Sequence, residues 1–182
     1  MKRQIVAPAA LSPAALAELK QWLGITTTAD DAPLAALLRA ALETCESFTG
    51  TMPLVAECEE VLPVRPGWQA LLTRPVQAIT QVTGIAPEGT ALALASDAYG
   101  IELDADGGGR VRVTAPGAAS RIAVRFAAGL AASWDALPDG LRHGVLRLAA
   151  HQHRERESEG AAPLPPAAVA ALWRPWRRLR MA

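Results

Sequence analysis

Apolar and polar residues alternate most cleanly over Arg121-Ile122-Ala123-Val124-Arg125-Phe126-Ala127, which predicts a half-buried strand ending in Ala128-Gly129. Beyond it the period lengthens. A helix opens at Pro138, carries Leu141, Val145 and Leu148 on one face, and runs into the charged stretch from His151 to Glu157. Gly160 to Pro166 interrupts that pattern. The chain then closes on Ala171-Leu172-Trp173-Arg174-Pro175-Trp176-Arg177-Arg178-Leu179-Arg180. A core strand, a long helix, a hinge and a basic tail with two tryptophans suggest a domain built to hold a partner, not a catalytic scaffold.

Toward the N-terminus, residues 1–11 read as a loosely tied arm. Ser12-Pro13 is a helix start, because serine caps free N–H groups and proline is tolerated in the first turn. Leu16, Leu19 and Leu23 follow at helical spacing beside Trp22, and Gly24 closes the helix. Asp30-Asp31 starts a second helix with Pro33 in its first turn. Its broad apolar face holds Leu34, Leu37, Leu38, Ala41, Leu42, Cys45 and Phe48, and Gly50 ends it. The two should pack as an αα-hairpin.

From Thr51 the period becomes two. Strands are expected over Val55–Leu62 and Ile79–Val82 and briefly at Leu92–Leu94, with Tyr99–Leu103 and Arg110–Thr114 forming a hairpin. The fold class is therefore α+β: an N-terminal αα-hairpin, a small antiparallel β-sheet in the middle, a long C-terminal helix and a basic tail. The domain reading is one domain over 1–159 (hairpin 12–50, β region 51–129, helix 138–159), then a Pro/Ala linker and Trp/Arg-rich tail over 160–182.

Composition narrows the function. The chain has 182 residues, 51% hydrophobic and 20% charged, which is a globular composition with enough length for a core. Its 18 basic and 18 acidic residues cancel, which argues against a protein that coats nucleic acid. The balance is uneven, since no Asp or Glu occurs from Gly160 onward while Arg174, Arg177, Arg178 and Arg180 do. Cys45 and Cys58 lack metal-like spacing and read as small apolar residues in a reducing compartment, not as a disulfide. No segment reaches the ~18–20 apolar residues that span a bilayer, so a soluble protein, intracellular when made, is expected.

Candidate chemistry is sparse. Asp104-Ala-Asp106-Gly-Gly-Gly109 lacks the later ligands of a calcium loop and the Gly-Lys-Ser/Thr ending of a phosphate loop, so a hairpin turn accounts for it. His151 and Glu155 are four apart on a helix with His153 between them, but His143 lies two further turns back and no third ligand is evident. The Arg154–Glu157 alternation reads as a solvated helix face. There is no Gly-x-Ser-x-Gly elbow and no activated cysteine. Glu59 and Glu60, adjacent in a strand, should point to opposite faces and share no site. No catalytic, cofactor-binding or metal residue is assigned, and no enzyme is expected.

The tail is different. Trp173 and Trp176 with Arg174, Arg177, Arg178 and Arg180 are the residue types concentrated at binding hot spots. Val169, Leu172, Trp173 and Trp176 could form an amphipathic helix packed on the parent domain, which Pro175 would kink or end. The same segment could order on a partner's carboxylates or on nucleic-acid phosphates, and the two readings are not exclusive.

Several stretches in order carry a resemblance: Leu19–Leu23 with Asp30-Asp31; Ala41-Leu42-Glu43 and Phe48-Thr49-Gly50; Leu72-Thr-Arg-Pro-Val76 with Ile79–Val82; Ile122–Gly129 leading to Leu137-Pro138 and Leu141; His151 with Arg154-Glu155; and Leu164-Pro165 before the basic tail. Over nearly all of residues 12–180 the chain resembles the small head–tail connector (adaptor) proteins of long-tailed phages and phage-derived gene transfer agents. The resemblance implies a structural protein of a virion or phage-like particle, assembled in the host cytoplasm. It would form a ring under the portal, twelve-fold by expectation, extend the DNA channel, and offer a platform to a stopper or tail-side protein. Trp173 and Trp176 would fill portal pockets, Arg174, Arg177, Arg178 and Arg180 would pair with portal carboxylates or touch channel DNA transiently, and the helix from Pro138 would help form the subunit or portal contact. A monomer that assembles only on the portal is expected, with no cofactor and no membrane partner. The competing readings are a nucleic-acid-binding accessory protein using the basic tail, a stopper or tail-terminator component, and a small enzyme.

Overall fold

A computed structural model of the chain describes residues 2–155 and 165–177. It is α+β, and the chain visits each of two compact units twice. Residues 2–9 and 55–129 build a β unit, while residues 10–54, 130–155 and 165–177 build a helical one.

The β unit holds β1 (Lys2–Ala7), β2 (Ala56–Pro63), β3 (Gln69–Ala70), β4 (Val76–Ile85), β5 (Ala91–Ala93), β6 (Tyr99–Leu103), β7 (Gly109–Val113) and β8 (Arg121–Ala128). They form two antiparallel sheets where the sequence pattern predicts one: five strands in the order β1-β2-β8-β4-β5, and three in the order β3-β7-β6. Central β8 keeps its predicted alternation, with Ile122, Val124, Phe126 and Ala128 fully buried. Its neighbour β2 sets Leu62, Glu60, Cys58 and Ala56 directly opposite those four. One face is thus apolar apart from Glu60.

That carboxylate is 0% exposed, and the protein satisfies it locally. Oε1 accepts from Thr73 N–H at 2.9 Å and Thr73 Oγ1 at 2.7 Å, and Oε2 accepts from Leu72 N–H at 2.9 Å. Three donors replace the water lost on burial. Glu59 points the other way and accepts from Arg125 Nε at 2.8 Å, so the two carboxylates do occupy opposite faces.

Two further features of the unit bear on the sequence reading. The loosely tied arm expected over residues 1–11 is instead β1, paired antiparallel with β2 from Lys2↔Val61 to Ile5↔Cys58. Residues Arg3–Ala7 are exposed on both faces, so backbone pairing rather than core burial holds this strand, and no hydrophobic period announces it. The Asp104–Gly109 loop is the hairpin turn between β6 and β7, with Gly107 at φ 78° and its N–H bonded to Asp104 O at 2.9 Å. Arg110 holds Asp104 at 2.7 Å and Arg74 holds Asp106 at 3.1 Å.

The helical unit holds α1 (Pro13–Leu23), α2 (Asp31–Thr49), α3 (Asp139–Arg154) and α4 (Ala167–Trp173), the last followed by a 3₁₀ turn, Arg174–Trp176. The caps follow the sequence signals. Ser12 accepts from Ala14 N–H at 3.2 Å, and Gly24 and Gly50 close α1 and α2 in the left-handed region at φ 73° and 71°. Lys20 reaches Asp31 at 2.6 Å and ties α1 to the start of α2. Helix α3 packs against α1, α2 and α4. Leu19, Leu34, Leu38, Ala41, Cys45, Leu141, Val145 and Leu148 lie in this unit's core with Trp134, whose indole N–H donates to Glu18 Oε2 at 3.3 Å. The helix expected over 138–159 runs from Asp139 to Arg154, and residues 156–159 lie outside the described residues. Where the chain enters and leaves the unit, Leu130 N–H bonds to Met52 O at 2.9 Å and Ala131 N–H to Pro53 O at 3.1 Å, joining the two crossings.

Two outcomes follow from these cores. Glu60→Ala removes the acceptor for three donors and should cost about 3 kcal/mol in urea unfolding. Glu60→Gln keeps the shape but turns an NH₂ toward a donor, and should cost less than the alanine variant yet more than a surface change. Separately, burial, with Glu46 as a smaller cause, pushes the Cys45 thiol from 9.0 up to about 12. The unfolded thiol ionises first, so this group's contribution is intact below pH 9 and is lost as pH rises from 9 toward 12. Stability should fall there by at most about 1.4 kcal/mol per pH unit, and Cys45→Ala should flatten that component of the profile.

Candidate functional site: the C-terminal tail and the third helix

Two glycines on α3, four residues apart, shape the place where the tail rests. At Gly144 a Cβ would lie 2.8 Å from Trp173 Cδ1, closer than any side chain could tolerate. The missing side chain is therefore the slot that the indole occupies. One turn earlier, a Cβ at Gly140 would lie 3.5 Å from Leu172 O and 3.7 Å from Trp176 Nε1. The Gly140 distances are those of ordinary contact, so it is at Gly144 that glycine, costing about 1 kcal/mol inside a helix relative to alanine, permits the close approach of α4.

Trp173 is 0% exposed. Its N–H donates to Leu141 O at 3.3 Å, which meets the need of a buried indole for a partner. Its ring lies 6.0 Å from that of Phe48 on α2, tilted by 48°. Val169, one turn earlier on α4, is also buried. The amphipathic-helix reading of the tail thus describes Val169 and Trp173 within this chain. Pro175 ends the α-helix, as its ring and missing N–H require, and the chain tightens into the 3₁₀ turn.

The rest of the tail faces outward. Arg174 and Arg177 are exposed and Trp176 is half-buried beside Gly140. The Arg177 guanidinium sits over the Phe48 ring at 5.4 Å. Of the six tail residues singled out, Trp173, Arg174, Trp176 and Arg177 are brought together at one end of α4, with only Trp173 turned wholly inward. Arg178 and Arg180 lie outside the described residues.

The sequence reading missed a second feature, a strip of arginines and histidines along α3. His143, Arg147, His151 and Arg154 recur at steps of four, four and three, so they share one face. Trp22 of α1 lies beside it, edge-on to His143 at 5.3 Å and 82°, and is 42% exposed. A cleft of about 260 Å³ opens there, lined by Trp22, Arg147, His151, Arg154 and Pro166 among others. A neighbouring cleft of about 330 Å³ holds Arg142 between Asp139 at 3.1 Å and Glu18 at 4.0 Å. The steps of four were legible in the sequence, but their exposure was not. His151 Nε2 and Glu155 Oε2 approach to 3.0 Å, as their spacing predicts, and no group of three or more metal-ligating side chains occurs among the described residues. No helix among them is long and apolar enough to cross a membrane.

If the Gly144 slot holds the tail, Gly144→Ala should displace Trp173 and cost about 2–4 kcal/mol, close to the about 3–5 kcal/mol expected for Trp173→Ala. The double variant should cost little more than either single one, because both remove the same contact. Denaturant titration with tryptophan emission as the probe reads all three.

Comparison with known proteins bears on this arrangement. Residues 13–91 match the phage gp6-like head–tail connector proteins. No curated protein matches the sequence. Among solved structures, a chain in the neck of an empty gene transfer agent particle computed with C6 symmetry is 28% identical, with a TM-score of 0.77 over 100% of this chain and 98% of that one. A chain in the virion of a native gene transfer agent particle is 29% identical, with a TM-score of 0.74 over 100% and 98%. A third, in the neck of a native particle computed with C12 symmetry, is 28% identical, with a TM-score of 0.72 over 98% and 97%. In its N-terminal part by sequence, and over its full length by fold, this chain is thus similar to head–tail connector proteins of phages and to neck chains of gene transfer agent particles.

Proposed function

We propose that this protein is a subunit of the neck of a virion or phage-like particle. It forms a twelve-membered ring under the portal, continues the DNA channel and offers a platform to the stopper or tail-side protein. The observation that carries this is the full-length match at 28% identity to a chain in a particle neck computed with C12 symmetry. The tail supports it too. Trp173 fixes the segment to its own domain, so Arg174, Trp176 and Arg177 are presented in a set geometry. An ordered aromatic flanked by arginines loses less entropy on docking than a disordered one. Portal carboxylates are the complementary chemistry, and twelve weak contacts in one ring add to a strong attachment. Channel DNA would meet the ring only in passing.

Deleting the tail would also strip Val169 and Trp173 from the core, so point changes test the proposal better. A variant with Arg174→Glu, Trp176→Ala and Arg177→Glu should still unfold cooperatively in urea, its midpoint lowered modestly by the loss of half-buried Trp176 and of Arg177 over Phe48, yet co-sediment with rings of the portal protein from the same gene cluster at least about tenfold more weakly. Unchanged co-sedimentation would move the portal contact off the tail. Strongly salt-dependent binding of DNA by the isolated protein, with none to the portal, would instead support the nucleic-acid-binding reading.

A further inference from the structure

The two sheets of the β unit end in four edge strands, and these are unequal. β3 has two residues and β5 three, too short to template a further strand, whereas β1 has six and β6 five. Of the seven large apolar residues exposed among the described residues, four lie on the two long edges: Ile5 and Val6 on β1, Ile101 and Leu103 on β6. On β6 the bonds from Asp104 N–H to Gly108 O and from Thr114 N–H to Ala98 O mark the even-numbered positions as those paired with β7. Tyr99, Ile101 and Leu103 therefore direct their N–H and C=O groups away from β7. On β1, Ile5 stands opposite buried Cys58 in the register yet is 40% exposed, so the sheet's apolar face runs on to an uncovered edge.

The charges differ in sign. β1 carries Arg3 and no acid, and β6 carries Glu102, which Arg110 of β7 approaches at 3.4 Å, and no base. Pairing β1 with β1, or β6 with β6, would set like charges together, whereas β1 against β6 sets opposite ones. We infer that β1 of one copy adds as a strand to the β6 edge of the next copy, so that neighbours join through two different surfaces of the same chain. Such a contact is heterologous, the only kind that closes a ring of more than two. The inference rests on the ring reading above and supplies its contact.

The test uses full-length Ile5→Cys, Ile101→Cys and the double variant, each treated with a short bismaleimide in the presence of portal rings. Cys45 and Cys58 are buried, and unsubstituted protein sets the background. The double variant should give a ladder of dimers, trimers and larger species at least tenfold above background. Each single variant should stay monomeric, and the two mixed should stop at dimers. Dimers from either single variant alone would overturn the inference, because the contact would then be isologous. Co-sedimentation with the portal but no ladder would overturn it while leaving the connector reading in place. A ladder without co-sedimentation would do the reverse. As a second readout, Leu103→Lys added to the double variant, at an exposed position of the same edge, should leave the urea midpoint unchanged while abolishing the ladder.

Discussion

Helix α3 has to be covered on more than one side, and the helical unit is arranged to meet that demand. Leu141, Val145, Leu146, Leu148, Ala149 and Ala150 are all buried along with Gly144, which is more than one apolar stripe can account for. Two helices, α1 and α2, do not suffice. The remaining cover comes from α4, which returns after residues 156–164. Gly144 lets it come close, and the Trp173 indole fills the space that its missing side chain leaves.

The same docking gives the tail two roles at adjacent positions. Burial of Trp173 keeps α4 in place, and the turn forced by Pro175 separates that anchor from the residues facing water. Arg177 over Phe48 and Trp176 beside Gly140 are held by the same neighbours that hold the anchor. Core and candidate contact therefore share residues. Val169 and Trp173 thus follow the packed reading of the tail, while Arg174 and Arg177 face water.

The elements legible in the sequence are those whose own residues state the rule. β8 alternates because one of its faces is buried, and α1 and α2 end at Gly24 and Gly50 because only glycine takes the left-handed conformation cheaply. Elements defined by a distant neighbour were hidden. β1 has no buried face to imprint a period, so it read as an arm. Glu60 was known to oppose Glu59, but that it is the inward one depends on Leu72 and Thr73, a dozen residues away. Gly144 states nothing until Trp173 is brought against it. In the candidate site, the composition of the tail was readable, while the division between anchor and exposed residues was not.

Neither unit is continuous along the chain, and this sets an order on synthesis. As the polypeptide leaves the ribosome, the β unit has all its strands once Ala128 has emerged. Helices α1 and α2, made much earlier, still lack the helix they pack against. Their apolar faces must wait until α3 and then α4 are released, so two later helices complete a core begun with α1 and α2. A truncated product would carry that unfinished surface permanently, a form that chaperones and proteases act on, and the full-length chain alone conceals it.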